Sequence, residues 1–310
     1  MRPASSPTHW ARRPERGASL PMRATAWAAR TLGRRAVAPV VWLVVLYFYA
    51  TGGEARRAIA EYQRRLAAHG GGPALFPARF PVYRQYLAFA CALLDKLDTW
   101  QGRIATGDVD IEDPDRLRAQ MGSGPGQILL CSHLGNAELC RAIASHEPNL
   151  RLNVLVHSHN AVRFNALLSQ AGASQLNLIQ VSELDAATML HLSERLKRGE
   201  WLAIAGDRTP LQGKRVVPVT FLGADALLPQ GPWLLAGLLR CPVNTVFCTR
   251  RRGRYRIALQ RLSDGLAWTR ATREAEVSRG AQRYADVLAA ACRDAPLQWF
   301  NFYPFWQKHA

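Results

Sequence analysis

The sequence is short of paired cysteines and of acidic residues. Its six cysteines include no CxxC pair, which argues against a disulfide framework or a structural zinc site and favours a reducing, cytoplasmic environment. Asp and Glu number only 23 against 40 Lys and Arg, which gives a net charge of +17. That excess attracts phosphates, anionic membrane surfaces and acidic proteins without distinguishing among them.

The sequence also has no apolar, uncharged run of the ~20 residues that a typical membrane-spanning helix needs. The nearest is AVAPVVWLVVLYFYAT at residues 36–51, which has arginines on both sides. No A-x-A site directly follows it, which argues against a cleaved signal peptide. We predict an uncleaved anchor helix over residues 36–52, either a short tilted span or a helix within one leaflet, with a buried helix of a soluble protein as the alternative. Residues 1–35 are predicted to be a basic, poorly ordered arm.

The rest of the chain predicts an α/β fold. Residues 53–120 have a helical pattern and are predicted to connect the anchor to the core. In residues 121–310 short apolar runs alternate with helical segments, which is typical of a largely parallel central sheet flanked by helices. The predicted strands are residues 128–132, 152–156, 176–181, 201–205, 216–221, 243–249 and 255–259. The predicted helices are residues 136–146, 161–171, 185–198, 232–240 and 273–293.

Polar residues directly follow three of these predicted strands. ILLCS is followed by HLGNAE, NVLVH by SHNAVR, and LAIA by GDRTP. In open α/β sheets, ligands bind beyond the carboxyl ends of the strands. We therefore expect these three segments to meet at one edge of the sheet.

The first of these segments contains a candidate acid–base pair, His133 and Glu138. In one continuous helix their side chains would lie about 140° apart around the axis. They can meet if His133 lies in the turn after its strand, Gly135 relaxes the backbone and Asn136 caps the following helix. A carboxylate on one ring nitrogen leaves the other free to take a proton from a hydroxyl, so the pair predicts a general base. A single HxxxxE spacing also occurs often by chance.

Four blocks of the sequence resemble a known family. SHLGNAELCRA resembles the HxxxxE/D block of the lipid A biosynthesis lauroyl/myristoyl acyltransferase family, whose members are relatives of the glycerolipid acyltransferases. GDRTP, then GKRVVPVTFLGADALLPQGPWLLAGLLRCPV, then the aromatic LQWFNFYPFW are similar to further blocks of that family, in the same order. Together with the predicted anchor, the resemblance covers residues 36–306.

The resemblance implies an O-acyltransferase that moves a fatty acyl chain from acyl carrier protein or acyl-CoA to a hydroxyl of a glycolipid or other lipid-like acceptor, with no metal or other cofactor. It implies that His133 is the catalytic base and Glu138 its acidic partner. Arg163 lies in SHNAVR, a block in which the family has an arginine near its active site, and Asp207 and Arg208 lie in GDRTP; we expect all three to bind substrate. Either arginine suits a phosphate or an oxyanion, and Asp207 is also a candidate to hold an arginine in place.

The resemblance further implies a bacterial inner-membrane protein with its catalytic domain on the cytoplasmic side, and no nucleic acid is expected as a partner. Arginines at residues 250–256 are candidates to bind acidic carrier protein or anionic headgroups, or are solvated charges at a hairpin. Residues 227–239 are candidates for an acyl groove or a core helix. Two other functions stay open: a basic peripheral membrane or nucleic-acid-binding protein without catalysis, and a thioesterase or lipid hydrolase that uses the same histidine.

Overall fold

A computed structural model describes residues 34–72, 75–76, 79–100, 104, 107, 109–144, 150–156, 176–180, 186–209 and 215–306. The helices are α1 (Arg34–Thr51), α2 (Gly53–Leu66), α3 (Pro81–Trp100), α4 (Leu117–Gln120), α5 (Ala137–Ala144), α6 (Ala186–Lys197), α7 (Gly231–Leu239) and α8 (Arg273–Asp294). The strands are β1 (Val109–Glu112), β2 (Ile128–Cys131), β3 (Leu152–Val156), β4 (Leu176–Gln180), β5 (Trp201–Ala205), β6 (Val216–Phe221), β7 (Ala224–Pro229), β8 (Val243–Arg251) and β9 (Arg254–Ser263).

Seven of these strands form one central sheet, in the order β1-β9-β8-β2-β5-β3-β4. Strands β8, β2, β5, β3 and β4 run parallel to one another. β9 is antiparallel to β8 and parallel to β1, while β6 and β7 form a separate antiparallel pair. The predicted α/β class and largely parallel sheet are therefore confirmed.

The sheet has a buried core on each face, because successive side chains of a strand point to opposite sides. Ile128 and Leu130 of β2 belong to a core packed with residues of α2, α6, α7 and α8. Leu129, between them, belongs to the other core, together with Leu139 of α5 and Leu117 of α4. Full burial of each such side chain stabilises the fold by about 1.5–3 kcal/mol.

All seven predicted strands are present, with bounds that differ by a few residues. Two further strands were missed. β1 lies within residues 53–120, which were predicted to be helical, and it joins the sheet as the parallel neighbour of β9. β7 pairs with β6. The helix predicted at residues 161–171 lies outside the described residues.

The predicted anchor corresponds to α1, which packs against α3 through buried Val41 and Val45. The other side of α1 exposes large apolar side chains, of which Trp42 is 62% exposed and Leu43 is 67% exposed. Within the described ranges, no helix by itself combines the length and the apolar character that crossing a membrane requires. Ala38–Thr51 and Gly53–Gly70 meet that requirement only as a pair bent by 92°. Residues 36–51 are therefore helical, and the function of residues 36–52 as an anchor stays a prediction.

Candidate active site

His133 lies in a turn, residues 132–136, that connects the carboxyl end of β2 to the start of α5; we call it the His133 turn. Gly135 has a φ of +72°, and a Cβ at this position would overlap the carbonyl oxygen of Cys248 on β8, so only glycine fits. The Asn136 Oδ1 accepts a hydrogen bond from the backbone N–H of Leu139 at 3.3 Å, which caps α5. The predicted turn, with its glycine and its cap, is therefore confirmed.

Asp207 is the carboxylate in contact with the His133 ring. It follows β5, the parallel neighbour of β2, so the two carboxyl ends lie side by side. Its Oδ1 lies 2.8 Å from His133 Nδ1, and its Oδ2 accepts the backbone N–H of His133 at 2.8 Å. The segments after β2 and β5 thus meet as expected. Asp207 was predicted to bind substrate or to hold an arginine; the contact with the imidazole was not foreseen.

The structure describes fewer contacts for the other predicted site residues. Glu138 is in the first turn of α5, as predicted, but its side chain lies outside the described part, so its contact with His133 stays a prediction. Arg163 and the segment that follows β3 also lie outside the described residues. Arg208 follows Asp207, is partly buried, and has its Nη2 3.5 Å from the carbonyl oxygen of Phe300.

The two members of the His133–Asp207 pair differ in their exposure. The Asp207 side chain is 1% exposed and the His133 side chain is 33% exposed. Burial acts to raise the pKa of Asp207, but the nearby His133 ring, two hydrogen bonds from His133 and the charge of Arg208 hold that pKa below its ordinary value. An ionised carboxylate only accepts hydrogen bonds, so Nδ1 of the His133 ring is the donor in this contact, and in a neutral ring Nε2 is then the nitrogen with the free lone pair.

The aromatic C-terminal segment completes the site. The indole Nε1 of Trp299 donates to Asp207 Oδ2 at 3.1 Å, and Trp299 forms an antiparallel bridge with Leu134 of the His133 turn. The backbone N–H of Phe300 donates to the carbonyl oxygen of His133 at 2.9 Å. In the sequence this segment contributes only to the family resemblance, and its contact with Asp207 was not foreseen. The available signal was that a buried indole N–H needs an acceptor.

An apolar cavity of about 550 Å³ begins at the His133 turn and extends along one face of the sheet. Its walls are side chains from β1, β2, β3, β5, β8 and β9, with α3, α4 and α5 on the other side. The polar side chains lining it include Ser132, His133 and Arg208. No lining residue comes from residues 227–239, which were a candidate acyl groove. That stretch contains β7 and most of α7, and the buried Trp233 and Ala236 make α7 a core helix.

Comparison with known proteins adds a family match. Residues 83–308, well over half of the chain, match the family model described as bacterial lipid A biosynthesis acyltransferase. The matched range contains His133, Asp207 and Trp299. A search of curated proteins finds no match.

Proposed function

Because the chain belongs to the bacterial lipid A biosynthesis acyltransferases, we propose that it moves a fatty acyl group from a thioester donor to a hydroxyl of a glycolipid or similar lipid. Family membership makes the protein an acyltransferase of lipids. The donor, the acceptor and the roles of individual residues are proposed.

The observation that carries the mechanism is the 2.8 Å contact between Asp207 and His133 Nδ1 beside an apolar cavity. In the proposed reaction, His133 Nε2 takes the proton of the acceptor hydroxyl as its oxygen attacks the thioester carbonyl. The tetrahedral intermediate collapses, the carbon–sulfur bond breaks, and the imidazolium returns the proton to the departing sulfur. Asp207 stabilises the imidazolium and holds the ring in one orientation.

Glu138, Arg163 and Arg208 have proposed supporting roles. Arg208 lines the cavity next to Asp207, so its guanidinium is the described group best placed to stabilise an oxyanion or bind a phosphate of the acceptor. Arg163 shares that proposed role on the strength of its place in the sequence block alone. Glu138, one turn into α5, is proposed as a second acid that acts on the His133 ring or on the acceptor.

The cavity is the proposed site of the acyl chain. Its volume of about 550 Å³ falls in the range of about 300–1,000 Å³ that small-molecule sites occupy. Apolar side chains such as Leu129, Leu152 and Ala144 surround it, and His133 lies at one end. A chain bound there would have its thioester carbon close to the His133 turn.

The proposed donor is acyl carrier protein, with acyl-CoA as the alternative, and the tip of the β8–β9 hairpin supports the first. Arg250 forms an ion pair with Asp95, Arg254 with Asp110, and Arg256 with Glu112. Arg251 and Arg252, at the tip, are exposed and have no ion pair within the described part of the chain. Their charges are available to an acidic protein.

The tip is also close to the site. β8 is parallel to β2, so both strands end at the same edge of the sheet. Gln298 links the two regions: its side chain bonds to the backbone N–H and carbonyl of Arg250, and its carbonyl accepts the N–H of Gly135 at 2.8 Å. A carrier protein bound at the tip would lie next to the cavity entrance.

The proposed location is the cytoplasmic side of a bacterial inner membrane. The exposed apolar side of α1 supports it, because large exposed apolar patches mark membrane or protein interaction surfaces. Location at the membrane would bring the enzyme to its lipid acceptor.

Two measurements test the proposal. Lipid mass spectrometry of cells with and without the gene is expected to reveal a species that differs by one acyl group. In the purified protein, thioester consumption is expected to require acceptor lipid and to vanish in a folded His133→Ala variant. Release of free fatty acid without acceptor would make the protein a hydrolase, and salt-sensitive lipid binding without turnover would leave it a binding protein.

A further inference from the structure

The Asp207 carboxylate accepts three hydrogen bonds in the described structure. Oδ1 is occupied by the His133 ring, while Oδ2 accepts both the His133 backbone N–H and the Trp299 indole N–H. The two donors from His133 move together with the residue that Asp207 must orient. Of these three donors, the Trp299 indole is the one that does not belong to His133, and Trp299 lies 92 residues from Asp207 in the sequence.

The Trp299 side chain is buried and packed on several sides, so its indole N–H has a fixed position next to Asp207. It is 1% exposed. Its ring is surrounded by Tyr62, Phe221, Phe305 and Trp306, with ring centroids 5.0–6.1 Å away. Its backbone bridges to Leu134, and both neighbours of Trp299 bond to the His133 turn.

Trp299 does not line the cavity, although Phe300, its neighbour, does. The indole is thus separated from any substrate bound there and acts only through Asp207. Whatever effect it has on the reaction must come from the orientation and charge of that carboxylate.

We propose that Trp299 is a positioning residue, whose indole N–H fixes the rotation of the Asp207 carboxylate and so sets the orientation and basicity of the His133 ring. This inference rests on the proposed general-base function of His133. Without the indole, Oδ2 of the buried Asp207 side chain keeps only a backbone donor. The carboxylate then rotates more freely and attracts a protonated imidazole more strongly.

The test compares Trp299→Phe with Trp306→Phe in the full-length protein. Trp306 belongs to the same aromatic cluster and also uses its indole N–H, but it donates to the carbonyl oxygen of Phe221 at 3.2 Å and not to Asp207. Both variants lose one indole N–H and keep an aromatic ring. Loss of packing should therefore affect both, while loss of Asp207 support affects only one.

Trp299→Phe is expected to lower kcat by about 10- to 100-fold, since a hydrogen bond to a charged group is among the stronger ones. KM should stay within about twofold because the indole does not reach the cavity. The acid limb of the kcat/KM profile should move to higher pH. Trp306→Phe should keep wild-type kcat and pH profile. A wild-type kcat and pH profile in folded Trp299→Phe, or equal losses in both variants, overturns the inference.

Two further measurements keep the inference testable if the Trp299→Phe protein does not fold, or if His133 is not the general base. Relative to the wild-type protein, the indole N–H NMR resonance of Trp299 should shift in Asp207→Asn, while that of Trp306 should not. An unshifted Trp299 resonance also overturns the inference. In kinetics, the Trp299→Phe effect should disappear in the Asp207→Asn background. Failure of the general-base function would instead appear as unchanged turnover in His133→Ala.

Discussion

Asp207 is buried at a point where an unpaired charge would be costly, and its three hydrogen bonds remove most of that cost. This makes it the most informative residue to change. Asn is nearly the same size, so the fold should tolerate it, but the amide can donate to Nδ1 and so favour the wrong tautomer of His133.

We predict that Asp207→Asn lowers kcat/KM by up to about 10⁴-fold, as the loss of a histidine-orienting carboxylate does in other enzymes. Steady-state thioester consumption measures the effect. Asp225→Asn, at an exposed position on β7, is the matched control and should retain full activity. An Asp207→Asn protein within about tenfold of wild type, alongside a Glu138→Ala protein that is nearly inactive, would make Glu138 the main partner of His133.

The role of a single residue could be predicted from the sequence where that role depends on adjacent residues. The positive φ of Gly135 and the cap made by Asn136 depend on adjacent residues, so both could be predicted, whereas the close approach of Gly135 to Cys248 could not. Asp207 and Trp299 act on a residue 74 or more positions away, and that contact depends on which strands become neighbours. Strand order in a sheet is a property of the whole fold and leaves no local pattern.

Among the elements, the β8–β9 hairpin has the most testable role. Reversing the charge at its tip should weaken binding of an acidic carrier protein while leaving the chemistry intact, because the tip does not touch the His133–Asp207 pair. A control is available at the start of α8, where Arg270 and Arg273 are also exposed. α8 has 22 residues, so its start lies about 33 Å along the axis from the end that leads to Gln298.

We predict that Arg251→Glu with Arg252→Glu raises KM for acyl carrier protein thioesters by about tenfold, with little change in kcat. KM for a short acyl-pantetheine thioester, which has no acidic protein attached, should not change. Arg270→Glu with Arg273→Glu alters the net charge equally and should leave both KM values unchanged. Equal losses in the two double variants would mean that the overall charge, and no particular surface, attracts the donor.

The elements missed from sequence have a common cause. β1 is only four residues long and lies among helical patterns, and it is stabilised by pairing with β9 from the far end of the chain. β7 was missed because its apolar residues form one run with those of α7, so the sequence does not separate the strand from the helix. The longer alternation of strands and helices between them was predicted, because each of those strands is a buried apolar run with its own periodicity.

For the molecule as a whole, acid stability should depend on Asp207. A carboxyl group whose pKa is lowered by folding stabilises the native state above its unfolded pKa of about 4, and this stabilisation is lost as pH falls through the folded pKa. Asp207→Asn has no such group.

We therefore predict that the difference in the free energy of unfolding between wild type and Asp207→Asn shrinks as the pH falls below about 4. Urea unfolding followed by tryptophan fluorescence at a series of pH values measures it. Other acidic groups are present in both proteins and cancel in the difference. A difference that stays constant down to pH 3 would mean that Asp207 has an ordinary pKa in the folded protein.

Membrane association is the second property of the whole molecule. We predict that changing the exposed Trp42, Leu43 and Tyr47 of α1 to Glu moves the protein from the membrane pellet to the supernatant in salt and carbonate washes. Leu238→Glu, at an exposed apolar position on α7, is the control and should leave the protein in the pellet. Pelleting of the α1 variant as in wild type would place the attachment elsewhere in the chain.

The contact between Trp299 and Asp207 has a consequence for how the enzyme matures. The base is put together from three stretches of polypeptide, and the last of them follows α8, after every other described helix and strand. A nascent chain that has already folded its sheet still lacks the indole and the backbone bridge to the His133 turn. Acyl transfer should therefore begin only after the stretch that follows α8 has left the ribosome and docked against the His133 turn.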